Sequence, residues 1–508
     1  MEINKIIIVG GGSAGWMTAS TLIKAFPQKD ITVIESPNVP IIGVGESTLA
    51  QIKLWTNFLG IEDKDFMPAC DATYKLGIMF TDFYKKGTQF CYPFGLPNTS
   101  GCRNGLNDWW FKKSVYPKTP NSNYAESFYP QMSMINQNRF FHGDDGELFF
   151  NKETDAAYHF NAVKFGQWLK DYYAIPNGVK YIKEHINTIE QNDEGIKSLN
   201  KKHKADLFID CTGFKSLLLS ETLKEPFESY TDLLPNDSAW VVQKPFKNKK
   251  KELVTYTNCT ALENGWVWNV PLWSRIGTGY VYSSKFVDDN TALKQFQKHL
   301  KTKDLDFKNI KSRVGIHKRL WVKNVCAIGL SAGFIEPLEG NGLFSVHEFL
   351  RILLRNMKRE NISQWDRDNF THECKFIFKS FAEFVAIHYA LAHREDTTYW
   401  KANLNKNWEE KLINLKPSSI QGLLWSSSQR EYWNFPEGGG LHCIAAGMNW
   451  FPTDVDEVVY RNLINKDLFI EDCKNVAKEL DNKKNKWDKI IKTKPLYYEY
   501  LKNEIYKN

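Results

Sequence analysis

The sequence predicts an α/β fold, and three observations predict it. A strand, a glycine turn, a helix and a second strand follow one another at the start of the chain. Two later strands run into glycine-rich loops, at Asp210-Cys211-Thr212-Gly213 and Gly329-Leu330-Ser331-Ala332-Gly333. Beyond Ile362 the pattern turns helical and stays so to the C-terminus.

The first unit is the most specific. Lys5 to Val9 (KIIIV) is a short apolar run bounded by glycine, as a buried strand should be. Met17 to Ala25 has helical patterning, and Ile31 to Glu35 (ITVIE) is the second strand. Between them, Gly10, Gly12 and Gly15 take the G-x-G-x-x-G positions, with Ser13 and Ala14 inside the turn. The first glycine permits the tight turn, the second lets backbone approach a pyrophosphate, and the third lets the helix pack on the sheet. The N–H groups of the helix start then point at phosphate oxygens. Glu35 closes the second strand, where an acid accepts hydrogen bonds from a ribose. The context predicts dinucleotide binding. A nicotinamide enzyme usually completes its site in one continuous domain, whereas this chain returns twice to glycine-rich strand–loop elements. That favours FAD.

The expected architecture is therefore an FAD-binding, Rossmann-like core of the flavin monooxygenase type, with inserted substrate segments and a C-terminal helical region. The core spans residues 1–360, with insertions at about 85–160 and 220–310, and the helical region spans 361–508. Along the core, Val44-Gly45-Glu46-Ser47 reads as a glycine turn followed by a helix from Thr48 to Leu59. Lys75 to Asp82 alternates like a strand. Phe90 to Phe140 is rich in aromatics, Pro, Asn and Ser and reads as loop. Ala205 to Thr212 is a buried strand, Val254 to Tyr282 holds several strands separated by glycine, and Val325 to Leu330 leads into a helix from Leu343 to Met357.

Composition narrows the function. With 508 residues, 42% hydrophobic and 25% charged, the chain is globular and large enough for more than one ordinary core. Lys plus Arg at 66 against Asp plus Glu at 59 leaves +7, too mild over this length to argue for nucleic acid. The Lys-rich stretch from Lys474 to Lys507 reads as a solvated helical face. Nine cysteines include no C-x-x-C pair, which favours a reduced, cytoplasmic protein. No segment approaches the eighteen or so apolar residues a membrane span needs. His159 and His388 have no companions at metal spacing and read as structural. Aromatics at 14%, including 17 Trp, leave open a thick core or pockets for flat ligands.

Four segments together resemble the flavin-dependent halogenases of the tryptophan-halogenase type. Trp266-Val267-Trp268-Asn269-Val270-Pro271 resembles the family's W-x-W-x-I-P motif. The others are Asp71 to Phe80 around Lys75, Ala157 to Ala162, and Gly329 to Gly342 (GLSAGFIEPLEGNG). The resemblance implies that FADH2 and O2 oxidise a chloride or bromide ion to hypohalous acid, which passes through a tunnel to a lysine and halogenates an electron-rich aromatic ring. Lys75 matches the catalytic lysine and Glu339 the second catalytic residue. A partly desolvated lysine either hydrogen-bonds hypohalous acid or, as a neutral amine, captures the halogen. A carboxylate beside the ring stabilises the cationic intermediate or takes its proton. The family commonly has Ser and Thr after this glutamate, where this chain has Gly340 and Asn341.

The same resemblance puts the halide on the backbone N–H groups of Asn341 and Gly342, and makes Trp266, Trp268 and Pro271 a wall between flavin and substrate. Gly45, Glu46, Leu330 and Leu343 join the glycine turn and Glu35 in holding FAD, and Tyr92 and Phe94 line the substrate. No adjacent tyrosine pair stands near Trp433 to Gly440, where tryptophan-specific members hold the amino-acid head group. An indole without that head, or a larger aromatic, fits better, with glycines 438 to 440 opening the pocket mouth. With no second glycine fingerprint, FADH2 has to come from a separate NAD(P)H-dependent flavin reductase. A homodimer is compatible with the sequence. A flavin-dependent aromatic hydroxylase and a non-catalytic flavoprotein are the alternative readings.

Overall fold

The computed structural model describes residues 2–39, 46–103, 105–412, 439–450 and 466–507. Lys5–Val9 lies inside a six-stranded sheet whose order is Lys180–Lys183, Asp30–Glu35, Lys5–Val9, Leu207–Asp210, Val325–Ala327 and Trp321–Val322. The first five strands run parallel and the last antiparallel. Ile6, Ile7 and Ile8 are all buried, so both faces of the sheet are covered, as parallel sheets require. Three glycine-rich loops named above leave the sheet at the carboxyl ends of adjacent strands. That edge is where open α/β sheets bind ligands.

A seven-stranded sheet stands beside it, in the order Lys308–Lys311, Ser238–Lys244, Ile276–Tyr282, Gly265–Pro271, Tyr256–Ala261, Gly77–Thr81 and Gln89–Pro93. Only Tyr256–Ala261 with Gly77–Thr81 is a parallel pair. A small third sheet joins Glu46–Ser47, Ala157–Phe160 and Thr73–Lys75.

The predicted strand from Lys75 to Asp82 is in fact two. Thr73–Lys75 pairs with Ala157–Phe160, while Gly77–Thr81 belongs to the large sheet. The break is at Leu76, whose N–H donates to Thr255 O at 2.6 Å. Every residue from Thr73 to Phe80 is buried, because a different sheet covers each half of the segment. Lys75 is thus the last residue before a corner between two sheets.

Two other expectations need correcting. The stretch from Phe90 to Phe140 is not mainly loop: it holds helices Asp108–Val115, Asn123–Phe128 and Gln131–Gln137. Their aromatic faces bury Trp109, Trp110, Tyr124 and Phe128, and the Pro and Asn residues sit at helix ends, Pro130 before one helix and Asn138 in the left-handed position after it. Glu46 and Ser47 form a strand rather than a turn, pairing with Phe160 and His159, and the next helix begins at Ile52. Val44 and Gly45 lie outside the described residues.

Beyond Ile362 the described elements are helices, the longest being Gln364–Ala390 and Lys466–Lys492. Gln364–Ala390 packs against Asn341–Asn356 through Phe344–Phe381 and Phe349–Phe378 ring contacts. The Lys-rich helix Lys466–Lys492 buries Val476, Leu480, Trp487 and Ile491 and turns most of its lysines outward, where Lys486 meets Glu147 at 3.1 Å, while half-buried Lys483 donates to Asn98 O at 2.7 Å. Buried residues from Ile3 to Leu501 form the main core, and Val242, Val267, Tyr280, Tyr282, Val287, Ala292 and Phe296 form a second, smaller one. All nine cysteines are free. Among the described residues, no helix is long and apolar enough to cross a membrane and no His/Cys/Asp/Glu group could hold a metal.

Candidate active site

At the sheet edge, Gly10 has φ +115, and a Cβ there would lie 2.3 Å from Cys211 O. Only glycine fits a turn pressed this closely onto the neighbouring loop. Gly15 is equally confined, with a Cβ position 1.9 Å from Gly10 O, so the helix Ser13–Ala25 packs tightly on the turn. Gly12 differs: a Cβ there meets nothing within 4 Å. The turn is therefore closed on the sheet side and open on the side a pyrophosphate would approach. Ser13 Oγ donates to Ala162 O at 2.9 Å, and Ala14 lies under Gly329, with a Cβ on that glycine 2.8 Å away. Glu35 ends its strand half-buried, and Leu330 and Leu343 border the same edge from the 329–331 turn and the helix Asn341–Asn356. These residues fit a dinucleotide laid across the carboxyl ends of the strands.

Lys75 is fully buried. Its Nζ donates to Thr48 O at 2.9 Å and stands 4.8 Å from the centre of the Phe94 ring. Loss of hydration pulls its pKa down to about 7, and the charge of Glu339, acting in the opposite direction, does not restore it. At neutral pH ammonium and free amine are therefore both populated.

Glu339 is buried as well, in the left-handed backbone region at φ 68, where a residue with a Cβ is strained. Gly340 follows at φ 71, and a Cβ on it would lie 2.6 Å from Ser47 O. Glycine at this position is thus dictated by the backbone and by the strand carrying Ser47. The side chain of Asn341 donates to Glu336 O at 2.6 Å and Leu338 O at 3.1 Å, tying the turn to the helix that begins there. The backbone N–H groups of Asn341 and Gly342 lie in that helix's first turn, where amides lack intrahelical acceptors. Glu46 comes close: a Cβ on Gly342 would be 3.7 Å from Glu46 Oε2. Burial raises the Glu46 carboxyl to about 7.

Trp266 and Trp268 share a face of Gly265–Pro271, their ring centres 6.1 Å apart. Pro271 ends that strand and its carbonyl accepts from Thr73 Oγ1 at 2.7 Å, linking it to the Lys75 strand. Tyr92 and Phe94 meet edge to face at 5.7 Å. Gly440 does not open a pocket mouth: it lets the helix Gly439–Gly447 close on Tyr92, whose ring lies 2.8 Å from its Cβ position. Gly438 and Trp433 to Pro436 are outside the described residues, as is Glu437.

Sequence reasoning missed two residues. Glu336 is buried, accepts from Asn236 Nδ2 at 2.5 Å and from Tyr389 Oη, and burial raises its carboxyl to about 7. A second acid inside the apolar run before Glu339 was the available signal. The other is His388, read as structural, whose Nε2 lies 3.0 Å from Glu339 Oε1 with both side chains buried. His159 does bridge strands, through Thr257 Oγ1 at 2.8 Å and Thr73 Oγ1 at 3.3 Å.

The family profile described as "Tryptophan halogenase" matches residues 5–461. The chain belongs to the tryptophan halogenase family. It is similar to tryptophan 6-halogenase SttH of Streptomyces toxytricini, 34% identical over 78% of this chain and 80% of that one. Tryptophan 7-halogenase RebH of Lentzea aerocolonigenes is 31% identical over 89% of this chain and 90% of its own length. Among solved structures, apo VirX1 covers 100% of both chains with a TM-score of 0.90 and 39% identity. The tryptophan halogenase family is flavin-dependent, so this chain is a flavin-dependent halogenase.

Proposed function

We propose that this halogenase places chlorine or bromine on an electron-rich, indole-type ring, with Lys75 and Glu339 as its catalytic residues. The observation that carries the reading is Lys75 itself, a fully buried lysine brought down to about 7 and coupled to the charge of Glu339. Burial without a close counter-ion is costly for a lysine and clusters at functional sites.

Gly10, Gly12, Ser13, Ala14, Gly15, Glu35, Glu46, Leu330 and Leu343 would hold FAD, with Gly45 as a further candidate from the sequence. Bound there as FADH2, it would supply, with O2, the oxidising power that turns a halide into hypohalous acid. The amides of Asn341 and Gly342 hold the halide, since helix N-termini favour anions. Trp266, Trp268 and Pro271 separate that chemistry from the substrate. Lys75 receives hypohalous acid, as ammonium by hydrogen bonding its oxygen or as amine by taking the halogen and releasing water. Tyr92 and Phe94 line the ring that is halogenated. Glu339 takes the proton displaced from the ring. A separate NAD(P)H-dependent flavin reductase delivers FADH2, and the enzyme works in the cytoplasm.

The test is to incubate the protein with reductase, FAD, NADH, bromide and a panel of indoles and read product masses. Lys75→Ala should lose halogenation while FAD binding and hydrogen peroxide release persist. Retained turnover in Lys75→Ala would remove the lysine from the mechanism, and steady NADH oxidation without reductase would remove the reductase.

A further inference from the structure

His388 stands in the last turn of the helix Gln364–Ala390 and is fully buried. Its Nδ1 lies 3.2 Å from Phe384 O and 3.2 Å from Val385 O. Carbonyl oxygens only accept, so Nδ1 carries a proton. The other ring nitrogen, Nε2, is 3.0 Å from Glu339 Oε1. A bare Nε2 facing a carboxylate oxygen would set two lone pairs against each other in a buried site. A proton placed between the two atoms removes that repulsion. The rings of Phe80, Phe83 and Phe384 surround the imidazole, with centres at 4.8, 6.2 and 5.8 Å. The end of a helix also favours a cation.

We propose that His388 is a positioning residue for Glu339: imidazole and carboxylate share one proton through Nε2 and Oε1, which fixes the carboxylate and leaves Oε2 as the base. This rests on the reading of Glu339 given above. Glu339 is held in a strained backbone at φ 68, and His388 sets the rotation of its carboxylate. Oε1, Oε2 and His388 Nε2 are all buried and none completes a hydrogen bond of good geometry, so the pair is joined by its 3.0 Å approach alone and Oε2 keeps a lone pair free for the ring proton. In the step itself, the bond from halogen to oxygen breaks as the bond from ring carbon to halogen forms, and hydroxide departs. The ring C–H then gives its proton to Oε2 and its electron pair returns to the ring. The proton and the hydroxide together make water, so ring C–H plus hypohalous acid yields ring carbon–halogen plus water. Lys75 and the buried thiols of Cys91, Cys259 and Cys443 face Glu339, and Lys75 is the cation among them.

The experiment compares His388→Phe and His388→Gln with the wild type, using reductase-supplied enzyme and an indole deuterated at the halogenated carbon. His388→Phe keeps the ring volume and removes the shared proton. It should lower kcat by about 100-fold with substrate KM changed by less than about threefold, because proton removal and not binding is impaired. Proton removal should become rate-limiting, so a primary deuterium isotope effect should appear that the wild type lacks. Gln can donate one N–H to Oε1 and should recover at least about tenfold of the loss. Independently of turnover, 15N-histidine-labelled wild-type protein without flavin should show an Nε2–H resonance for His388 that moves on Glu339→Gln. A fall in kcat with no isotope effect and no recovery by Gln would overturn the proposal, as would a His388 signal indifferent to Glu339→Gln. If His388→Phe does not fold, the NMR comparison decides alone. Failure of the halogenase reading would show separately, as no halogenated product from the wild type with any indole of the panel.

Discussion

Replacing Lys75 by methionine should make the protein more stable while it loses its activity, and the gain should depend on pH. The folded protein holds Lys75 at about 7, against 10.5 for the ordinary side chain. At ~1.4 kcal/mol per pH unit the difference corresponds to about 5 kcal/mol of disfavoured burial. Methionine fills a similar volume without the charge, but it leaves Thr48 O without the lysine's hydrogen bond, a loss of about 1–3 kcal/mol. The net gain at pH 7 should be about 2–4 kcal/mol. Below pH 7 the lysine is protonated in both folded and unfolded chains, and this group gives stability no pH dependence. Above pH 7 the folded protein has released the proton while the unfolded chain keeps it, so wild-type stability climbs towards pH 10.5. Between pH 7 and 9 the climb is about 2 kcal/mol, and the variant lacks it. Urea unfolding of both flavin-free proteins at pH 7, 8 and 9, followed by tryptophan fluorescence, measures the gap. A gap that stays constant across this range would refute the reasoning, because the lysine would then titrate alike in both states.

Halide affinity should weaken as pH rises through about 7, because Glu46 ionises there beside Gly342 and repels the anion. Bromide KM should rise about tenfold from pH 6 to 8, and Glu46→Gln should flatten the curve; an equal slope in both would exclude Glu46. Gly340→Ser, which installs the family's commoner residue, forces a side chain into φ 71 and against Ser47 O, and should cost about 1–3 kcal/mol in thermal unfolding. Indole should be halogenated at least as well as free tryptophan, since an unpartnered ammonium and carboxylate cost several kcal/mol to bury, on the order of 10³-fold in affinity. A tenfold or greater kcat/KM preference for tryptophan would reveal a clamp for the charged head.

The parts of this protein legible in the sequence are those set by short-range chemistry. Gly10 and Gly15 announce their turn because backbone conformation and close approach leave no other residue type there, while Gly12 completes the spacing on the open side of the turn. The strand Lys5–Val9 follows from a short apolar run bounded by glycine, and the shared face of Trp266 and Trp268 from the two-residue period of an extended chain. Lys75 and Glu339 were found through motif resemblance, since an isolated lysine or glutamate carries no mark of its role. Tertiary structure decided the rest. Lys75 is buried because the chain turns a corner at Leu76 and a different sheet covers each side, which no local pattern records. The helices between Asp108 and Gln137 form because their aromatics have a core to enter, outweighing the Pro and Asn at their ends. His388 looked like a solitary core histidine, since the carboxylate it faces lies in another element far along the chain. The electrostatics of the site follow from that convergence: a charge's energy depends on how much water surrounds it and on which charges lie nearby, and both are set by the folded chain.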